Sequence, residues 1–345
     1  MPSTHDVSNQ APPLENYNLF DRNRPLREGV APEGAAAAAW LGERGAELGS
    51  AAMIALGVAA NRNPPTAKIF DRTGGRCEEV EFHPAYHEQM AYLRRHGVSA
   101  GPWAQPRPGA HAKRAALFMM YAEIEDGTLC PTTMTYAVVP SIVRNDAIAR
   151  AWLPRIYSTE YDPRFIPAEQ KRGVTLGMGM TEKQGGSDLR SNTTTATLLD
   201  GREYSIVGHK WFFSAPMSDA FLILAQAPGG LSCFFLPRFT PDGAQNAIRI
   251  QRLKDKLGDR SNASSEVEFD GARAWLVGDE GRGVPIILDM GTYCRLDCVL
   301  GTAGLMRQCV SQAIHHARHR YAFGRKLADQ PLMRNVLADL ALESE

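Results

Sequence analysis

From about residue 34 to residue 142 the apolar positions recur at helical spacing. Leu41, Leu48 and Ala52 fall on one face, and Leu117, Met120, Tyr121 and Ile124 repeat the pattern. Gly57, the run Asn63-Pro64-Pro65 and Gly127 punctuate it, which predicts several helices rather than one. Residues 156–172 carry Pro163 and Pro167 among mixed charges and read as a linker. Beyond Val174 the spacing shortens to two: Tyr204 and Ile206, Leu222 and Leu224, Phe234 and Leu236, Val267 and Phe269. Asp200-Gly201, Pro228-Gly229-Gly230 and Asp242-Gly243 supply turns between these runs, so an antiparallel β domain is expected up to about Val277. After Gly283 the helical period returns through Ile286, Ile287 and Met290, followed by a long candidate from Leu296 to about His319. A further amphipathic helix starts near Pro331 and reaches Glu345 without a capping glycine or proline. The expected class is α+β, in three parts. Residues 1–173 form an N-terminal segment and helical domain, residues 174–283 a middle antiparallel β-barrel or sandwich domain, and residues 284–345 the beginning of a C-terminal helical bundle, truncated.

Composition narrows the class without naming a chemistry. With 345 residues, 44% of them hydrophobic, the chain can bury cores for two or three domains. Its longest apolar runs, Ala35 to Leu41 and Ala51 to Ala60, are alanine-rich and interrupted, so no transmembrane helix is expected. The first 18 residues lack the basic start and apolar middle of a secretory signal, which leaves a cytoplasmic location as the default. The 38 basic and 38 acidic residues cancel, so the chain as a whole has no field to attract nucleic acid. Cys77, Cys130, Cys233, Cys294, Cys298 and Cys309 include no CxxC pair and are expected to be buried free thiols. The nine histidines show no ligand spacing, and no metal is expected.

The most informative segment is Gly179-Met180-Thr181-Glu182-Lys183-Gln184-Gly185-Gly186-Ser187-Asp188, followed by Ser191, at the helical-to-β junction. Paired glycines let backbone approach a ligand closely, and flanking hydroxyls and amides can bond a phosphate or a polar ring edge. Alone, a Gly-Gly-Ser-Asp run also reads as a tight turn. Neither GxGxxG nor GxxxxGK[ST] is present, so a nucleotide here would be held in another way. Four more segments follow in order: His209-Lys210-Trp211-Phe212-Phe213-Ser214, Lys256-Leu257-Gly258 with Arg260-Ser261, Gly278 to Gly283, and Arg320-Tyr321-Ala322-Phe323-Gly324. Taken together they resemble the signature segments of the acyl-CoA dehydrogenase family.

That resemblance implies FAD as cofactor and an acyl-CoA or related small molecule as substrate. It places Met178, Gly179, Met180, Thr181, Gly185, Gly186 and Ser187 around the flavin, with Met180 and Thr181 at the ring edge and Ser187 at the pyrophosphate. Aligned with the family's flavin-facing strand, Phe212, Phe213 and Ser214 take the places of its tryptophan, isoleucine and threonine, and Trp211 is displaced by one. The bland reading of these aromatics is a hydrophobic strand core. Arg320 and Phe323 occupy positions that reach the flavin of a neighbouring subunit, which implies a homo-oligomer, a tetramer in the family. Without the resemblance, Arg318 to Lys326 reads as a solvated basic helix end.

Asn9 to Leu14, Ala60 to Pro65, Phe82-His83-Pro84, Leu129-Cys130-Pro131 and the string KWFFS resemble the AidB branch of the family. That branch is linked to the response to DNA alkylation and binds DNA through a basic C-terminal domain that this sequence does not contain. Dehydrogenating a thioester needs a carboxylate to take the α-proton. The family places that glutamate either far downstream or just before an arginine that matches Arg295, where this chain has Cys294. No catalytic residue is therefore assigned. The expected function is an acyl-CoA dehydrogenase-type FAD oxidoreductase acting on a short or branched acyl-CoA, weak in the full protein and absent from these residues alone. Two alternatives are a DNA-associated protective protein that uses the flavoprotein fold as scaffold, and a flavin monooxygenase on the same fold.

Overall fold

The computed structural model describes residues 4–345. Along the chain run α1 (Arg24–Val30), α2 (Ala35–Leu48), α3 (Ala51–Arg62), β1 (Thr66–Phe70), β2 (Arg76–Glu81), α4 (Pro84–Arg95), α5 (Gly101–Ala104), α6 (Ala110–Ala122), α7 (Leu129–Ala137), α8 (Val139–Ile142) and α9 (Asp146–Ile156). Strands β3 (Leu176–Gly179), β4 (Thr195–Asp200), β5 (Glu203–Ser214), β6 (Ala220–Ala227), β7 (Gly230–Pro237), β8 (Ile248–Leu253) and β9 (Ser264–Val277) follow. The chain then continues through α10 (Gly283–His319), the two-residue strands β10 (Tyr321–Ala322) and β11 (Arg325–Lys326), and α11 (Pro331–Ser344). Among the described residues no helix is long and apolar enough to cross a membrane.

Two compact units divide the chain. The larger contains Leu56–Arg114 and Glu125–Asp297 and is built on a seven-stranded sheet in the order β3-β6-β4-β5-β9-β7, with β8 paired to β9. Side chains alternate across β6: Leu222 and Leu224 enter one core with Ile142, Ile156, Phe235 and Met290, whereas Phe221, Ile223 and Ala225 enter another with Ile206, Phe213, Ile250 and Phe269. A strand buried on both faces needs apolar residues at every position, as β6 has from Ala220 to Ala225. Most pairings are antiparallel, but β3 runs parallel to β6, and β4 touches β6 in parallel at Thr195. Helix starts follow local chemistry: Asn145 accepts from the Ala147 and Ile148 amides at the head of α9, and His83 with Pro84 opens α4.

The smaller unit contains the residues up to Ala55, with Ala115–Ile124 and Cys298–Glu345. Residues 16–20 lie along α2, bonded through Tyr17 N–H to Gly49 O and Leu19 N–H to Gly45 O. A Cβ on Gly49 would sit 1.6 Å from Tyr17 O, so that contact requires glycine. Gly304 on α10 serves the same end, since a Cβ there would sit 2.3 Å from Met119 O.

Two sequence expectations change. The helical stretch between residues 34 and 142 is interrupted by the hairpin β1–β2, most of whose side chains are exposed or half-buried and so carry no strong apolar alternation. Of the six free cysteines only Cys233 is fully buried; Cys77, Cys130 and Cys294 are half-buried, and Cys298 and Cys309 face solvent on α10. A helix turns 100° per residue, so apolar composition in its sequence does not bury every position.

Candidate functional site

Strand β3 carries glycine at alternate positions because aromatic rings lie on it. A Cβ on Gly177 would come within 2.6 Å of the Phe221 ring, and one on Gly179 within 2.5 Å of the Phe213 ring. Past Gly179 the chain folds into a tight loop in which Glu182 and Gly185 exchange two backbone hydrogen bonds, 3.2 and 3.0 Å. Gly185 has φ +146°, a conformation that L side chains rarely adopt. Gly186 is needed for proximity, since a Cβ there would lie 2.4 Å from Thr181 Oγ1.

This loop is tied to β5. Trp211 N–H donates to Thr181 O at 2.9 Å, and the Asn192 amide donates to Met180 O at 2.9 Å. Both carbonyls are thus used inside the protein. The Thr181 N–H and hydroxyl bond to no other described residue. Below the loop, Lys210 Nζ donates to Glu182 Oε1 at 2.8 Å with both side chains fully buried. Burial works to raise the Glu182 carboxyl, but the Lys210 ammonium and the donors around it hold it well below the usual carboxylate range. His209 Nε2 accepts the Lys183 N–H at 3.0 Å, and burial lowers its imidazole.

Within β5 the three residues expected at the flavin separate. Phe212, 53% exposed, and Ser214, half-buried, are two apart along the strand, whereas Phe213 points into the core, fully buried against Phe221 with ring centroids 4.3 Å apart. Phe213 therefore has no surface to offer a ligand, and its expected flavin contact is corrected to a support beneath Gly179. The displaced Trp211 has Lys254 Nζ 3.4 Å from its ring centroid, and Lys254 also lies 4.5 Å from that of Phe212. Ser214 Oγ lies 3.4 Å from Ser264 Oγ. A cavity of about 240 Å³ opens beside Ser264, lined also by Lys254, Lys256 and Arg260. Asn262, 1% exposed, lines it too, with neither amide atom hydrogen-bonded among the described residues. The structure thus brings Met178 to Thr181, Gly185, Gly186, Phe212 and Ser214 onto adjoining loop and strand; Ser187 is exposed at the loop's end. Sequence reasoning assigned no role to Glu182, Lys210, Asn192 or Asn262. The first two were marked only by a charge placed inside otherwise apolar or glycine-rich segments.

Arg320 and Phe323 lie in the smaller unit. Arg320 Nη1 donates to Asn9 O at 2.5 Å, and Asn9 also exchanges bonds with the Tyr321 backbone, 2.7 and 2.9 Å. Phe323 is 99% exposed in the turn between β10 and β11, at φ +53°.

On α10, Cys294 precedes an acid the sequence reading did not weigh. Asp297 accepts both terminal nitrogens of Arg114, at 2.6 and 2.7 Å, and the Thr133 hydroxyl at 2.8 Å. The Arg114 guanidinium lies 3.6 Å from the ring centroid of Tyr136, whose hydroxyl bonds His111 Nδ1 at 2.5 Å. A carboxylate so engaged is a packing group, since its lone pairs are already committed.

Comparisons with known proteins agree along the chain. Residues 9–163 match the adaptive response protein AidB N-terminal domain, residues 177–272 the acyl-CoA dehydrogenase middle domain, and residues 281–345 the acyl-CoA dehydrogenase C-terminal domain. The putative acyl-CoA dehydrogenase AidB of Escherichia coli is 51% identical over 99% of this chain and 64% of that protein. Acyl-CoA dehydrogenase family member 11 of Caenorhabditis elegans is 32% identical over 84% of this chain and 48% of that protein. The chain thus spans between about half and two thirds of the length of these curated relatives. The crystal structure of C. elegans ACDH-11 in complex with C11-CoA superposes with a TM-score of 0.90 at 26% identity, covering 100% of this chain and 60% of that one. Butyryl-CoA dehydrogenase of Megasphaera elsdenii shares the fold, with a TM-score of 0.65 at 18% identity over 80% of this chain and 68% of that one.

Proposed function

The chain belongs to the acyl-CoA dehydrogenase family, where it carries an AidB-type N-terminal domain, and from that membership we propose that it binds FAD and serves the α,β-dehydrogenation of a short or branched acyl-CoA. One observation carries the reading: the loop docks on β5 through its carbonyls and leaves the Thr181 N–H and hydroxyl as donors beside the strand that bears Phe212 and Ser214. The unpaired Asn262 amide and the close approach that Gly185 and Gly186 permit also fit a flat ligand with polar edges.

In this reading Met180 and Thr181 hold the ring edge, Ser187 the pyrophosphate, Phe212 a ring face, and the Ser214 hydroxyl the central ring. When bound, FAD supplies the acceptor for the β-hydride. The protein's residues fix the plane and register of that ring. Neither Asp297, engaged by Arg114, nor the Cys294 thiol is assigned as the base for the α-proton. Activity on these residues alone is therefore expected to be absent. The acyl-CoA class is supported by the C11-CoA held by the C. elegans relative. Self-association into a homo-oligomer is supported by Phe323, an aromatic exposed at a turn beside Arg320.

Anaerobic addition of isovaleryl-CoA to the FAD-loaded full-length gene product is expected to bleach the visible flavin band. A band left unchanged at saturating thioester would remove dehydrogenation from consideration.

A further inference from the structure

We infer that the buried pair Lys210–Glu182 is the positioning device of the flavin loop: it sets which backbone groups of Met180 and Thr181 are consumed inside the protein and which remain for the ring. This inference rests on the flavin reading above. A surface turn built from glycine, serine and aspartate needs no internal charge, and burying an ion pair seldom adds stability over an apolar pair of similar size. What such a pair can supply is a unique arrangement, and here its bonds reach four stretches of chain. Glu182 Oε1 accepts from Lys210 Nζ at 2.8 Å and from the Thr194 amide at 3.2 Å. Its Oε2 accepts from the Thr193 amide at 2.7 Å, the Thr193 hydroxyl at 3.1 Å and the Gln184 side chain at 2.8 Å. Lys210 Nζ makes a further bond to Leu224 O on β6, at 2.8 Å. The loop, the segment before β4, the strand β5 and the central strand β6 are joined through two side chains.

The consequence lies one residue on either side of the pair. Because Glu182 is anchored and the next residue of β5 after Lys210 is Trp211, the Trp211 N–H meets Thr181 O. Asn192, next to the amides that Glu182 binds, reaches Met180 O. With both carbonyls turned inward, the Thr181 N–H and hydroxyl are left without a partner among the described residues. An apolar pair at 182 and 210 would fill the space but would let the loop slide or turn over by a residue. Lys210 and Glu182 touch no proposed ligand directly, so their role is positioning.

The test uses the full-length protein freed of FAD and titrated with it, followed by flavin fluorescence and the visible spectrum. Lys210→Met leaves Glu182 buried without its cation, a state that favours the protonated acid. Its FAD Kd is expected to rise about tenfold or more at pH 8 and to recover severalfold at pH 6, where Glu182 can take up a proton. The double variant Lys210→Met/Glu182→Gln is expected to lose that pH dependence. His209 also faces the loop, with the charges of Lys183 and Glu268 acting on it, so the profile is read as variant minus wild type. Wild-type protein that takes up no FAD overturns the flavin reading itself. Wild-type binding with Lys210→Met equal to it at both pH values, or weakened equally at both, overturns the positioning role alone. Should Lys210→Met not fold, Glu182→Gln carries the test: a several-fold weaker FAD Kd and an altered flavin band in protein that retains its fold by circular dichroism support the role, and an unchanged Kd and band refute it.

Discussion

At the scale of single residues, the structure turns on a few charges kept from water. Glu123 follows α6 in the smaller unit, 7% exposed, and burial pushes its carboxyl up to about 8 although Arg307 opposes the shift. A carboxyl whose folded value lies above its unfolded one binds its proton more tightly in the native state. Its contribution is present in full below about 4.5 and is lost as pH rises from there through about 8. Glu123→Gln, which keeps the neutral shape, is therefore expected to gain on wild type by roughly 2–3 kcal/mol between pH 5.5 and pH 8. Urea unfolding at the two pH values measures this, and parallel pH dependence in both proteins would refute it. The Arg114–Asp297 pair behaves differently, being ionic and fully engaged. Arg114→Met strands Asp297 and is expected to cost about 3–5 kcal/mol, with Arg114→Met/Asp297→Leu recovering most of it. A double variant no more stable than the single one would show that the pair itself provides the stability.

Residue identity also marks the limit of what could be read in advance. Glycine, threonine and serine in the loop announced a ligand-holding turn, because those residues are what close approach and free donors require. Phe212, Phe213 and Ser214 could not be sorted, since the side of a strand on which a ring lies depends on its pairing. Here the β5–β9 register shifts between Lys210 and Phe213, so counting by twos from Tyr204 and Ile206 does not carry through. Lys210 and Glu182 are 28 residues apart, and nothing local connects them.

At the scale of elements, periodicity was sufficient where burial is one-sided and insufficient where it is not. The return to helix after Gly283 and the first half of β5 follow from spacing, although α10 runs unbroken over 37 residues where the spacing marks two stretches. The hairpin β1–β2 does not, because it exposes most of its side chains and is stabilised by its turn: Asp71 accepts from the Thr73 and Gly75 amides at 2.7 and 2.9 Å. The parallel pairing of β3 with β6 was also hidden, since a four-residue strand has no period to distinguish direction. Caps, by contrast, are legible and testable. Asn145 caps α9 with two bonds of 3.1 Å and donates to Leu276 O at 3.1 Å, joining helix to sheet. Asn145→Ala is expected to lower stability by about 1–2 kcal/mol, and Asn145→Asp, which keeps the cap but not the donor, by less. Equal losses in thermal unfolding would mean that the bond to Leu276 carries the whole effect.

At the scale of the whole molecule, charge and apolar surface point the same way. Positive and negative residues balance at 38 each, so no net repulsion keeps copies apart near neutral pH. α11 buries none of its residues, and Leu332, Val336 and Leu340, spaced four apart on one stripe, are 77%, 45% and 42% exposed. An apolar stripe of that length is a surface that association covers. This 345-residue polypeptide is therefore expected to elute above its 37.8 kDa monomer mass and to bind a dye specific for exposed apolar surface. Val336→Glu with Leu340→Lys should shift it toward the monomer and reduce dye binding, without changing the urea midpoint of the larger unit, in which neither residue lies. If the doubly charged variant associates as strongly as wild type, the stripe is not the contact. Phe323, exposed at its turn in the same unit, is then the residue to charge next, because at 99% it is the most exposed large apolar side chain among the described residues of that unit and has a neighbouring arginine.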